Sequence, residues 1–204
     1  QFANWRDEHS ATATMRLHIN LSQRQLMAER LVDDILAALR RHELPPTAFS
    51  IEVTESSMLA DESAAHAALL RLRILGVKVA IDDFGTGYSS LAFLRRLPAD
   101  ILKLDESFIQ GVGDAGTPDV LVASVLSMAH GLGLQVVAEG VETVNDLEHL
   151  RMLGCNFAQG HLLGRPMDPS QVRHLLADAS ASTDGVTSYD DDAPSGPDLL
   201  LHSG

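Results

Sequence analysis

Two adjacent carboxylates, Asp82 and Asp83, end an apolar run in the middle of the chain, within the stretch AIDDFGTGYSSL. Each ionised carboxylate raises the cost of ionising its neighbour. The simplest interpretation is a polar strand end followed by a loop. A bound cation would instead allow both groups to ionise, and two cations about 3.5–4 Å apart are the usual arrangement for in-line attack on a phosphate ester.

Polar side chains recur near the carboxyl ends of six β-rich runs. Because successive side chains of a strand point to opposite faces, alternate positions share one side of a sheet. In five of these runs the opposite phase is apolar, as in Leu17/Ile19 and Val79/Ile81. Each polar residue taken alone is explained by a strand end that contacts loop backbone, but six in phase favour a shared site. They are Asn20, Glu52, Asp82, Lys103, Glu139 and Gln159.

The chemistry of this set points to hard cations. Asn20, Glu52, Asp82 and Asp83 offer only oxygen ligands, which suit Mg²⁺, Mn²⁺ or Ca²⁺ better than Zn²⁺. The nine histidines show no zinc-ligand spacing. Lys103 would hold the attacking water or a phosphate oxygen.

Further candidates carry weaker signals. In AEGVE, Glu139 and Glu142 offer a general base and a supporting partner. Glu55 is either a helix-start residue or an anchor for the loop FGTGYSS. That loop itself is equally well explained as an ordinary glycine turn, with positive φ at its glycines. Asp105 is either a further site group or a helix N-cap.

The elements that must position these groups alternate between strand and helix. Strands are predicted in RLHINLS, FSIEVTE, KVAIDDF, DILKLD, QVVAEGV and NFAQG, and amphipathic helices lie between them. One long helix is predicted in QLMAERLVDDILAALRRHELPP, and others begin at Asp61 and Thr143 and end at Gly76 and Gly154. The alternation predicts an α/β fold with a parallel sheet. Residues 1–179 form one domain, and residues 180–204 are predicted to be a disordered acidic tail.

A parallel barrel is the architecture that this pattern favours, because its active sites assemble at the carboxyl ends of the strands. We therefore predict a TIM-like (β/α) barrel that is incomplete at its N-terminus, since only six strands are visible. The residues alone leave several metal-dependent barrel enzymes open, including enolase-like lyases and aldolases.

Composition excludes some classes. A net charge of −13 argues against binding a DNA or RNA duplex through its phosphates, but it allows a small anionic substrate held through cations. The single cysteine, Cys155, excludes an internal disulfide framework and fits a reducing compartment, so we expect a cytoplasmic domain. No apolar run approaches the roughly 20 residues of a membrane span. The chain begins with Gln1, as a piece of something longer would, and the parent protein could be anchored through segments that are missing here.

Six ordered blocks resemble one known family. INLS, IEVTES, IDDFGTGYSSL, LKLDESFI, VVAEGVET and AQGHLLGRPM are similar to the signature blocks of the EAL-domain cyclic di-GMP phosphodiesterases, over about Leu17 to Leu176. The resemblance implies a TIM-like barrel in which two Mg²⁺ or Mn²⁺ ions activate a water that opens cyclic di-GMP to the linear dinucleotide. It also implies a homodimeric parent protein in bacterial second-messenger signalling, and it leaves open whether sensory or cyclase domains lie upstream.

The resemblance assigns a role to each candidate. It implies metal ligation by Asn20, Glu52, Asp82 and Asp83, and a general base at Glu139. Lys103 matches the residue near the attacking water. Supporting roles follow for Glu55, which steadies the glycine-rich loop in that family, and for Glu142 and Gln159.

One departure from the family pattern is serious. Nothing before Leu17 matches the Glu-Ala-Leu block, whose glutamate is a further metal ligand in the family, and His161 stands where an aromatic residue is more usual. We expect this chain alone to be poorly stable or oligomeric, with weak hydrolysis. The competing hypothesis is a degenerate module that binds cyclic di-GMP or a protein partner without hydrolysis.

Overall fold

A computed structural model describes residues 1–8, 15–58, 61–85, 94–110, 118–183 and 200–203 of the 204. The strands are β1 (Arg16–Asn20), β2 (Phe49–Thr54), β3 (Lys78–Phe84), β4 (Ile101–Leu104), β5 (Gln135–Ala138), β6 (Phe157–Ala158) and β7 (Leu200–Ser203). The helices are α1 (Phe2–Glu8), α2 (Gln23–Leu26), α3 (Leu31–Arg41), α4 (Glu55–Met58), α5 (Glu62–Ile74), α6 (Glu106–Ile109), α7 (Pro118–Gly131), α8 (Val144–Met152) and α9 (Pro169–Thr183), with a 3₁₀ turn at Pro46–Ala48.

All neighbouring strands are parallel and lie in the order β6-β5-β4-β3-β2-β1-β7. Strands β1 to β6 are therefore adjacent in chain order, with helices in the connections, which is the winding of a (β/α) barrel. The predicted fold class is confirmed, as a part-barrel of six consecutive strands plus β7.

The two faces of the sheet are buried in different ways. One face packs against the helices through the apolar phase of the strands, which includes Ile51, Val79 and Leu102. The opposite face is filled in its lower part by the small cluster of Ala80, Ile101 and Val137. Most of its described polar groups lie nearer the carboxyl ends of the strands, and His18 and Ser50 are buried polar residues further down β1 and β2.

Local signals place the helices as the sequence predicts. The Asp61 side chain caps α5 by accepting a hydrogen bond from the Ala64 amide at 2.9 Å. Thr143 and Asp146 form a reciprocal capping box at the start of α8. Gly76 and Gly154 follow α5 and α8 with positive φ, a conformation that glycine adopts without a steric penalty. Of the helices that the structure describes, none is long and apolar enough to cross a membrane.

Two predicted elements are corrected. The single helix expected over QLMAERLVDDILAALRRHELPP is two helices, because Ser22 and Gln25 form a capping box around the four-residue α2, and a turn separates it from α3. The predicted tail is also not wholly disordered. Helix α9 continues to Thr183, and Leu200–Ser203 pairs with β1 as β7. The edge of β1 that faces away from β2 offers backbone N–H and C=O groups to a further strand. This pairing orders Leu200–Ser203 even though the residues that precede them are polar.

A charge cluster at the amino ends of β3 and β4 yields a stability prediction. Asp100 accepts hydrogen bonds from the Arg73 Nε, the Lys78 Nζ and the Val79 amide, each at 3.2 Å. The Asp100→Ala change should lower the free energy of unfolding by roughly 1.5–3 kcal/mol, the range for hydrogen bonds to a charged group, because the buried Val79 amide loses its acceptor. Urea denaturation measures this difference.

Asp33→Ala is the matched control. Asp33 lies 3.9 Å from Arg71 in a pair that is more than half exposed on both sides. An exposed pair of this kind contributes little, so this variant should stay within about 0.5 kcal/mol of the parent. Equal losses for the two variants would contradict a specific role for Asp100.

Candidate active site

Lys103 lies at the centre of the polar cluster. This residue sits on β4, between β3 and β5, and its Nζ lies 2.8 Å from one carboxylate oxygen each of Glu52, Asp82 and Glu139. The side chains of Lys103 and Glu52 are almost inaccessible to solvent, at 4% and 0%. Strands β2, β3 and β4 and the residue after β5 thus bring four of the predicted site residues into one ion-paired group.

Burial and mutual charge set the protonation states of this group. Burial alone would lower the pKa of Lys103, but the charges of Glu52 and Glu139 raise it well above its ordinary value. Lys103 is therefore a permanent cation rather than a proton acceptor. Burial, with a smaller contribution from the charges of Asp82 and Glu52, raises the pKa of Glu139 despite the opposing effect of Lys103.

Asp83 reaches the same site through an irregularity in β3. Adjacent residues of a regular strand face opposite ways, so Asp82 and Asp83 should not share a face. Here the register with β4 shifts between Ile81 and Phe84, and Asp83 adopts a left-handed conformation with φ of 54°. As a result, carboxylate oxygens of Asp82, Asp83 and Glu139 lie within 4.8 Å of one another. Burial and the neighbouring Asp82 charge raise the pKa of Asp83.

Asn20 completes the cluster from the end of β1. Its backbone is in register with Glu52, so the two side chains stand beside each other. With its nitrogen turned inward, the Asn20 amide donates to Glu52 Oε2 at 3.3 Å and to Asp82 Oδ2 at 3.2 Å. With its oxygen turned inward, the Asn20 amide places Oδ1 beside Glu52 Oε2 and Asp82 Oδ2. These three oxygens form a ligand set for a hard cation.

His18 belongs to this cluster although the sequence did not single it out. Its Nδ1 lies 2.8 Å from Glu52 Oε1, and the residue is 1% exposed. The available signal was its position two residues before Asn20 on β1, which places both on the same face.

Tight backbone turns fix the groups that follow β5 and β6. Glu139 and Gln159 come directly after these strands, and their amides continue the ladder by donating to the carbonyls of Leu104 and Ala138. A Cβ on Gly140 would collide with Glu106, and one on Gly160 would collide with the backbone of Val141. Glycine is therefore required beside both site residues.

The remaining candidates lie outside the ion-paired group. Asp105 caps α6 by accepting from the Ser107 amide at 3.0 Å, although its charge contributes to the raised pKa of Asp83. Glu142 is exposed, and its Oε1 lies 3.8 Å from Nδ1 of His161. Glu55 begins α4, in agreement with the helix-start interpretation. Gly85 has the expected positive φ, whereas residues 86–93 of the glycine-rich loop lie outside the described residues.

Two cavities flank these residues. One of about 620 Å³ is lined by Asn20, Glu52, Asp82 and Asp83 together with polar residues of α2 and α4. A larger cavity of about 920 Å³ contains Glu142 and Gln159 but is mainly apolar. Both volumes are in the range of small-molecule sites. Three of the four clustered carboxylates, those of Glu52, Asp82 and Asp83, line the first.

The charge balance of the cluster fits divalent cations. Four carboxylates against one ammonium leave a formal charge of −3 when all ionise. The pKa values of Asp83 and Glu139 are raised first by burial and then, to a smaller extent, by the charges of the neighbouring carboxylates. A bound cation would oppose both effects, because it favours the ionised form of each carboxylate. All of these donors are oxygens, which suits Mg²⁺, Mn²⁺ or Ca²⁺.

Comparison with known proteins agrees with this geometry. The family model for the EAL domain matches residues 1–166. The chain is 44% identical over 165 residues to MucR of Pseudomonas aeruginosa, a bifunctional diguanylate cyclase/cyclic di-GMP phosphodiesterase, covering 81% of this chain but only 24% of MucR. The chain thus spans about a quarter of the length of that relative.

Two solved structures share the fold. The PaMucR phosphodiesterase in complex with c-di-GMP is 43% identical, with a TM-score of 0.76 over 83% of this chain and 68% of that one. The manganese/cy-diGMP complex of BlrP1 from Klebsiella pneumoniae is 36% identical, with a TM-score of 0.72 over 81% of this chain and 42% of that one. The strand order, the carboxylates at the strand ends and a family match over most of the chain lead to one conclusion. This chain belongs to the EAL domain family.

Proposed function

We propose that the site hydrolyses cyclic di-GMP to the linear dinucleotide with two Mg²⁺ or Mn²⁺ ions. The observation that carries this proposal is the convergence of Asn20, Glu52, Asp82 and Asp83 oxygens beside Lys103 and Glu139. The relatives that are named cyclic di-GMP phosphodiesterases, and the c-di-GMP complexes among the solved structures, support the choice of substrate. Divalent cations bound there would supply Lewis-acid charge and lower the pKa of water.

Each residue of this chain then has a defined task. Glu139, whose pKa is raised, accepts the proton of the attacking water as the new P–O bond forms and the ester P–O bond of the ring breaks. The departing ribose oxygen takes up a proton from solvent and becomes the free hydroxyl of the linear dinucleotide. Lys103 remains an ammonium, so it donates hydrogen bonds to the attacking water or to a phosphate oxygen and stabilises negative charge. The other carboxylates and Asn20 hold the cations. Gln159, Glu142, Asp105 and Glu55 act at most as supporting groups.

Removal of divalent metal provides the test. Chelation with EDTA should abolish conversion of cyclic di-GMP to the linear dinucleotide, and Mn²⁺ or Mg²⁺ should restore it. Ca²⁺ should bind but restore little turnover, because its loose and variable coordination positions the water badly. Product formation measured by chromatography distinguishes these cases.

Binding without turnover would instead identify a receptor module. In that outcome, cyclic di-GMP would bind with micromolar or tighter affinity in calorimetry while no linear product appeared with any metal. The retention of Lys103 and Glu139 next to the carboxylates argues for hydrolysis, because a receptor has no need of a proton acceptor. Zn²⁺ serves as a control cation that the oxygen ligands should not favour.

A further inference from the structure

We propose that His18 is a positioning residue for the metal site, through its hydrogen bond to Glu52. This inference rests on the proposed function, since it concerns how Glu52 presents itself to a divalent cation. His18 is neither a proposed metal ligand nor part of the proposed proton transfer, so its burial on β1 has no other explanation in the proposed function.

Burial makes the contact informative. The Glu52 side chain is fully enclosed and that of His18 is 1% exposed, so neither group is hydrogen-bonded to bulk water. A buried carboxylate that lacks donors is strongly destabilised. His18 Nδ1, at 2.8 Å from Oε1, and Lys103 Nζ, at 2.8 Å from Oε2, supply one donor to each oxygen of Glu52.

The two oxygens of Glu52 therefore have different roles. Oε2 faces the site, since Lys103 and Asn20 both lie beside it. Oε1 faces away, toward His18. Because His18 holds Oε1, the carboxylate cannot rotate about its last torsion without losing a buried hydrogen bond, and Oε2 stays directed at the cation site. This arrangement would make Glu52 a one-oxygen ligand.

The neighbouring strand accommodates this arrangement. Ser50 is the register partner of His18 on β2 and is fully buried beside it. Its small side chain leaves space for an imidazole on the inner face, below Asn20. The Ser50 hydroxyl has no hydrogen-bond partner among the described residues, so it does not take over the role of the histidine.

Loss of the donor should weaken metal binding. Replacing the hydrogen-bond partner of a metal ligand typically costs 10–100-fold in metal affinity or activity. We expect His18→Leu, which is similar in volume but has no donor, to weaken Mn²⁺ binding about 10–100-fold, measured by electron paramagnetic resonance of free Mn²⁺ without substrate. His18→Asn keeps a donor near the Nδ1 position and should recover most of this loss.

Ser50→Ala is the matched control, because it alters the same buried layer without touching Glu52, and its Mn²⁺ affinity should equal that of the parent. Unchanged Mn²⁺ affinity in His18→Leu would overturn the inference. If His18→Leu does not fold, the Mn²⁺ affinities of His18→Asn and His18→Gln are compared instead. Only the shorter Asn side chain places its amide donor where Nδ1 lies, so His18→Asn should bind Mn²⁺ more tightly. Equal Mn²⁺ affinities for these two variants would also overturn the inference. A parent chain that binds no Mn²⁺ would contradict the proposed metal site instead.

Discussion

Replacing Asp82 with Asn should abolish metal-dependent hydrolysis of cyclic di-GMP. Asp82 lies between Lys103 and Asn20. Its Oδ1 is 2.8 Å from Lys103 Nζ, and its Oδ2 is 3.2 Å from the Asn20 amide. The amide of Asn has nearly the same shape but no negative charge, and its nitrogen cannot ligate a cation. Because a direct ligand matters more than its hydrogen-bond partners, the loss should exceed the roughly 10–100-fold typical of those partners.

The measurement combines turnover with Mn²⁺ affinity. Both should fall in Asp82→Asn, and turnover should not recover fully at saturating Mn²⁺, because Lys103 also loses one of its three carboxylate partners. Asp34→Asn removes the same charge from an exposed pair with Arg30 and should change neither quantity. Unchanged turnover in Asp82→Asn would show that Asp82 is not a metal ligand. The argument for a cation between Asp82 and Asp83 would then fail.

The fold was predictable because its signals are local and repeated. Alternation of β and α segments, capping residues such as Asp61 and Thr143, and an apolar phase in the strands each follow from short-range geometry. The alternation also predicted which polar residues would share a face. Asn20, Glu52, Asp82, Lys103 and Glu139 do converge, because strand ends in a parallel sheet lie at one edge.

Features that depend on contacts between distant segments were not predictable in the same way. A regular strand would point Asp82 and Asp83 to opposite faces, and only the register shift against β4 brings them together. The pairing of β7 with β1 joins segments about 180 residues apart and overrides a polar composition. The hydrogen bond between His18 and Glu52 depends on a register between β1 and β2 that no short motif encodes.

The replacement Glu139→Gln should lower kcat by about 10²–10⁴-fold while leaving KM nearly unchanged. Glu139 lies 2.8 Å from Lys103 and close to Asp82 and Asp83, so its carboxylate is placed to take a proton where the phosphate would be attacked. Gln keeps the volume and a hydrogen-bonding side chain but cannot accept that proton. A loss confined to kcat is the mark of an interaction made only in the transition state.

The dependence of kcat on pH provides a second readout. A general base works in its deprotonated form, so the kcat of the parent should rise with pH through a pKa that lies above the ordinary glutamate value, because burial raises the pKa of Glu139. Glu139→Gln should lack this acidic limb. Glu148→Gln, an exposed carboxylate on α8, is the matched control and should keep both kcat and the limb. A rise in KM with kcat and its pH profile preserved would show that Glu139 binds substrate rather than moving the proton.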